Sequence, residues 1–235
     1  MKKGKILKIV IIIFVLLLAI IGIGIGGTYI KDRKEEKKLM NEFDQIYSLI
    51  NNEKIDFSSI NKKLDETVSS GDYKVIEQAA KKYLKDSLAN MEKIINILDD
   101  EKLTDIVTAS NYKKDGPLFI NTKKYIETTE KSLKESLSTY NLYLSDEKIM
   151  SYINGKDIDQ YYIDFYKEQL IGEMDKDDNS LTESINQILN ILDNYNKIIN
   201  FLVENKNSWN IEGDHIVFNK DNLSEQYNKY LEQIS

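Results

Sequence analysis

The chain has 235 residues, with 32 Lys and Arg against 39 Asp and Glu, one His, one Pro and no Cys. Without cysteine there is no disulfide framework, lipidated cysteine or thiolate chemistry, and a single histidine does not supply the usual zinc or haem ligand set, so no cofactor is implied. One proline in a chain of this length points to long uninterrupted helices, because proline costs roughly 3 kcal/mol in a helix interior.

Charge is distributed unevenly. Residues 1–30 carry Lys2, Lys3, Lys5 and Lys8 and no acid, which leaves 28 basic and 39 acidic side chains behind them, a net of −11. In that acidic part lysines alternate with carboxylates along every segment, a composition that sets nucleic-acid binding aside, since phosphate contact needs a concentrated Lys/Arg surface.

Residues 1–8 read as a short cytoplasmic tail. From Ile9 to Ile30 the run IVIIIFVLLLAIIGIGIGGTYI has no charge in 22 residues, and as a helix it spans roughly 33 Å, enough to cross a bilayer. Lys8 and Lys31 bracket it, with Tyr29 at interfacial depth. The leading reading is an uncleaved signal anchor. A cleavable secretory signal, with Gly24 and Gly26 as the small residues, is the rival, disfavoured because the run exceeds the 7 to 15 residues of an ordinary h-region. Lys and Arg nearly tie across the two flanks. The short amino-terminal tail and the large acidic part behind the span favour the amino terminus inside and residues 31–235 outside the cytoplasm, with the reverse topology as the alternative.

Within the span, Gly22, Gly24 and Gly27 fit G-x-G-x-x-G. No strand precedes them and no βαβ unit surrounds them, so a dinucleotide site is denied by context. Gly22 and Gly26 also form GxxxG, the spacing of a transmembrane dimer face, and a homodimer through it stands beside the plain reading that membrane helices tolerate glycine.

Residues 31–51 continue as a juxtamembrane helix, with Leu39, Phe43, Ile46, Tyr47 and Ile50 on one stripe. Residues 52–235 read as a helical domain. After Asn51-Asn52, a short helix carries Phe57, Ile60, Leu64 and Val68 and stops near Gly71. Asp72 is placed to cap a long helix with Ile76, Ala80, Tyr83, Met91, Ile94 and Leu98. A shorter helix around Leu103 and Ile106 leads to the polar loop NYKKDGP. There Asp115-Gly116-Pro117 makes a turn that starts a second long helix, through Phe119, Ile126, Leu133, Leu137, Tyr140 and Leu144.

Two shorter helices follow, at 146–154, stopped by Gly155, and at 157–173. Ser180 and Glu183 form a capping box for the third long helix, carried by Ile185, Ile188, Leu192, Tyr195, Ile199 and Leu202. The period then changes. Trp209, Ile211, Ile216 and Phe218 alternate across Glu212-Gly213-Asp214, which predicts a β-hairpin at about 208–219, before a last helix capped by Asn222. The expected fold is all-α: one transmembrane helix, then an up-down bundle with short decorations and a small C-terminal hairpin.

Residues with chemical potential are few. Asp175, Asp177 and Asn179 match the first three EF-hand ligand positions, but Ser180 replaces the required glycine and Asn186 the bidentate glutamate, so a solvated loop is expected. His215, placed in the hairpin turn, has no recognisable catalytic partner, and no catalytic or metal residues are assigned. Tyr152, Tyr161, Tyr162 and Tyr166 crowd, with Phe165, into two short helices, a composition suited to a partner surface; core packing is the competing account, because Tyr161/Phe165 and Tyr162/Tyr166 are i, i+4 pairs. The sequence therefore predicts a non-enzymatic, membrane-anchored extracytoplasmic binding or scaffolding protein of the cell envelope. Its partners are the lipid bilayer through residues 9–30 and a protein of unnamed identity; the alternative is a ligand-sensing helical bundle of an envelope signalling or transport system.

Overall fold

The structure is a computed structural model that describes residues 33–50, 55–172 and 180–234. The proposed membrane span, its Gly22 and Gly26 face and the Asp175, Asp177 and Asn179 trio lie outside the described residues. Among those described, no helix is long and apolar enough to cross a membrane.

The chain is mostly helical and carries a small two-stranded hairpin near its carboxyl end. In chain order the helices are α1 (Arg33–Ile50), α2 (Phe57–Asp65), α3 (Asp72–Leu98), α4 (Lys102–Asp105), α5 (Ala109–Asp115), α6 (Ile120–Tyr143), α7 (Asp146–Met150), α8 (Gln160–Lys167), a π-helical turn at Glu168–Gly172 and α9 (Ser180–Glu204). Strands β1 (Trp209–Glu212) and β2 (His215–Phe218) then precede α10 (Asp221–Glu232). Two compact units divide these elements: of the described residues, 33–50, 55–93, 138–172 and 180–181 belong to the first, and 94–137 and 182–234 to the second.

In the first unit the apolar stripes are the ones the periodicity marks. Leu39, Phe43, Ile46 and Ile50 of α1, Ile60 and Leu64 of α2, and Ile76, Ala80 and Tyr83 of α3 are all buried. Asp56 caps α2, its carboxylate accepting from the Ser58 and Ser59 amides at 3.0 and 3.2 Å. Helix α2 ends three residues before Val68, which is exposed. Asp72 is the first residue of α3 and not its cap.

In the second unit the core holds Ile106, Tyr112, Phe119, Ile126 and Leu133 together with Ile185, Ile188, Leu192, Ile198 and Leu202. The NYKKDGP stretch is not a loop throughout. Thr108 caps a helical turn there, its hydroxyl accepting from the Asn111 amide at 3.3 Å, and α5 runs to Asp115 with Tyr112 buried beneath it. Pro117 does not open the next helix. The Gly116–Pro117 peptide is cis, Phe119 has φ of 52°, and α6 begins at Ile120.

The hairpin pairs Trp209 with Phe218 and Glu212 with His215, so the turn contains Gly213 and Asp214 only, and His215 begins β2. Gly213 sits at φ of 59°, which costs glycine little and a side chain more. Trp209 stacks on Phe119 at 6.0 Å and donates its indole N–H to the Leu202 carbonyl at 2.8 Å, while Phe218 packs against Phe201 and Tyr227. Asn222 lies inside α10, whose cap position is Lys220.

Candidate functional site

The four tyrosines expected to share a surface do not share one. Asp159 caps α8, accepting from the Tyr161 amide at 2.8 Å, and the helix then packs its second turn inward. Tyr166 is 1% exposed and donates to the Ile149 carbonyl at 3.1 Å. Tyr152 is also buried. Its hydroxyl donates to Asp86 Oδ2 at 2.7 Å, and burial, followed by the Asp86 carboxylate, pushes its pKa up. Tyr162 is half-buried with its ring edge-on to Tyr73 at 5.1 Å, which leaves Tyr161, 49% exposed, as the one fully presented ring of the group. Spacing placed two aromatic stripes on α8 correctly; which turn is covered depends on neighbours from α3 and α7.

Beneath α1 and α3 lies a charge cluster that spacing alone did not reveal. Lys81 Nζ contacts Glu42 Oε1 and Glu77 Oε1, both at 2.8 Å, and donates to the Lys63 and Glu66 carbonyls at 3.0 Å each. All three charged side chains are at most 3% exposed. Lys63 approaches Glu42 Oε2 at 3.1 Å, and Glu77 accepts from the Val68 and Ser69 amides. Burial works against the Glu77 carboxylate, but Lys81 and Ser69 outweigh it and hold its pKa below the ordinary value. Burying these ions costs heavily unless every lone pair and proton is met, and here they are met from three stretches of chain, so the cluster fixes the segment after α2 onto α3. The readable signals were the i, i+4 spacing of Glu77 and Lys81 and the position of Glu42 within the α1 stripe.

Within the second unit a polar cleft of about 450 Å³ lies between the α4–α5 region and the start of α6. Asn111 braces it, donating to the Ile106 carbonyl at 2.8 Å and to Thr122 Oγ1 at 3.0 Å. Asp115, which lines it, serves the free amides of α6: Oδ2 accepts from Thr122 N and Oγ1, both at 2.7 Å, and Oδ1 accepts from Asn121 N at 3.3 Å and from its side-chain Nδ2 at 2.8 Å. Partial burial opposes ionisation of Asp115, yet those bonds keep its pKa lowered. On the cleft wall Tyr125 donates to Asp100 at 2.9 Å, with Lys102 over its ring at 5.8 Å. Lys102, Lys114 and Asp105 supply mixed charge to the lining. The Asp115 carboxylate is committed to the backbone it caps, so the cleft offers hydrogen bonds and charge to a small polar molecule, without a pair of carboxylates poised for proton transfer.

His215 is exposed at the start of β2, and no described side chain hydrogen-bonds its ring. Among the described residues no group of three or more His, Asp or Glu is placed to hold a metal ion. No family model, curated protein or solved structure matches the chain.

Proposed function

We propose that the protein is a single-pass, membrane-anchored helical binding or scaffolding component of the cell envelope, with an up-down bundle displayed outside the cytoplasm and no catalytic role. The observation that carries this reading is the 22-residue uncharged run Ile9–Ile30 between Lys8 and Lys31, followed by an acidic, helix-rich remainder. The amphipathic α1, which begins at Arg33, supports it as the juxtamembrane element. The test is fractionation of the full chain with protease added to intact cells. The protein stays with membranes through a high-salt wash, and its carboxyl-terminal part is cut from outside; recovery in the aqueous fraction, or protection of that part until lysis, overturns the reading.

The polar cleft favours a second reading, a ligand-sensing bundle, because it offers lysines, amides and hydroxyls within one concave surface of the second unit. A small polar ligand that binds there raises the melting temperature of the full chain in proportion to the logarithm of its concentration.

A further inference from the structure

Next to that cleft the second unit displays an apolar tip flanked in sequence by two pairs of lysines. Leu118 is 50% exposed and Ile120 is 67% exposed, an unusual pair for one short connection in an otherwise polar surface. They flank Phe119, which is fully buried and anchors the connection from below by stacking on Trp209 and meeting Tyr112 edge-on at 5.6 Å. Phe119 adopts its φ of 52°, a strained conformation for a bulky residue, and in doing so inserts its own ring while the side chains before and after it face outward. Asp115 pins the far side through Asn121 and Thr122. The tip is therefore presented on a braced base.

Its surroundings invert the charge of the rest of the chain. Between residues 113 and 124 stand Lys113, Lys114, Lys123 and Lys124 against the single Asp115, in a sequence whose remainder behind residue 30 is strongly acidic. Lys113, Lys114 and Lys124 are exposed; Lys124 lies one helical turn beyond Ile120 on the same face of α6. Lys113 reaches only Asp214, at 3.9 Å across two exposed side chains, and Lys114, Lys123 and Lys124 form no ion pair with a described residue. Besides Asp214, the carboxylates nearby include Asp115, already bound by Asn121 and Thr122; Asp100, which accepts from Tyr125; Asp105, on the cleft wall; and Glu127, on the next turn of α6.

We propose that this tip is a docking surface for an anionic lipid bilayer, with Leu118 and Ile120 entering the headgroup boundary and the four lysines pairing with lipid charge. Apolar side chains at the crest and cations around it are the two terms that drive interfacial binding, and neither alone holds a protein at a membrane. A nucleic acid would use the lysines and leave the aliphatic crest unburied, whereas a bilayer uses both. The inference stands on the second unit alone and does not need the span at residues 9–30.

Because the chain has no cysteine, Leu118→Cys gives a unique site for an environment-sensitive fluorophore in the full-length protein. The protein is reconstituted into vesicles of phosphatidylcholine alone or with phosphatidylglycerol, each with and without a brominated lipid as quencher, and a Val217→Cys label on the hairpin serves as reference. The 118 label shifts blue and is quenched in the phosphatidylglycerol vesicles, far less in phosphatidylcholine, and the effect recedes in high salt. Lys113, Lys114, Lys123 and Lys124 all changed to Gln lower the tip's partition by about a hundredfold or more. Emission of Trp209 reports whether the labelled tip keeps its base, and Ile120→Cys gives the same readout if Leu118→Cys does not. Absence of quenching from both sites in anionic vesicles, quenching equal to that of the 217 label, or indifference to phosphatidylglycerol overturns the proposal. So does a blue shift that grows with protein concentration without lipid, which assigns the tip to a second copy of the chain. Flotation with pure phosphatidylcholine vesicles reads the anchor separately, so failure of the anchor and failure of the tip give different results.

Discussion

Replacing Lys81 with Met isolates what the buried charge cluster does. Methionine keeps the length and most of the volume of the side chain, so packing loss is small, and what disappears is one ammonium with four acceptors around it. Glu42 still has Lys63 at 3.1 Å and Glu77 still has the Val68 and Ser69 amides, so neither carboxylate is stranded outright. Both remain out of water with less positive charge beside them, and two carbonyls lose a donor. Breaking a buried ion pair by removing one partner costs about 3–5 kcal/mol, and the surviving partners place this case near 3. Against a total stability on the order of 5–15 kcal/mol, that is a large fraction. Denaturant titration of the full chain in detergent, followed by circular dichroism, measures it. The deficit should shrink as pH falls toward 5, because the Glu77 carboxylate, left without the Lys81 cation that lowers its pKa, takes up a proton more readily in the folded state. Lys131→Met, at an exposed side chain 3.9 Å from Glu135, is the control and changes nothing measurable. A Lys81→Met deficit below 1 kcal/mol, or one independent of pH, would refute the assignment of Lys81 as the neutralising centre.

Other consequences follow from single contacts. Glu77→Gln keeps an acceptor for Val68 and Ser69 but loses the charge facing Lys81; because the folded pKa lies below the ordinary 4.5, the wild-type advantage is full above that pH and declines as pH drops beneath it, and an advantage that grows in acid would contradict the sign. Gly116→Ala puts a Cβ 2.5 Å from the Tyr112 carbonyl and 3.0 Å from the Trp209 ring, so it destabilises by about 1–3 kcal/mol and alters Trp209 emission. Tyr112→Phe leaves the Tyr227 hydroxyl, 2.8 Å away and buried, without its partner at a cost of about 1–3 kcal/mol; adding Tyr227→Phe restores much of the loss, and a thermal melt of the two single variants and the double reads the coupling.

Much of the helical layout follows from rules that act within about four residues. The stripes of α1, α3 and α9 are long, regular and nearly free of competing signals, and their residues are buried except Tyr47 and Tyr195, which are half-buried. The hairpin is equally local, since alternation and a glycine turn specify the pairing of Trp209 with Phe218. The cluster around Lys81 is of another kind: its bond to Glu42 joins residues 39 apart, and no local rule selects that partner. The tyrosines of α8 fail for the same reason, because Tyr161 and Tyr162 differ in exposure through what Tyr73 covers and not through their own spacing.

The most instructive departure is at residues 108–124, where every local expectation is displaced by a few positions. A polar stretch forms α5 because Thr108 caps it and Tyr112 is buried under it. A proline suited to open a helix instead precedes its start, because Asp115 reaches forward to satisfy the Asn121 and Thr122 amides. A bulky residue takes positive φ although glycine is next but two, because the Phe119 ring stacks on Trp209 and meets Tyr112 edge-on. Locally inconsistent segments persist when the surroundings over-determine them, and in natural chains such segments concentrate where a surface is used. Here the displaced segment is also the one that exposes Leu118 and Ile120 amid lysines. The cost of the backbone at Phe119 and the exposure of two aliphatic side chains are two separate penalties, and a bilayer seated on the tip would remove the second while leaving the first in place to hold the crest outward.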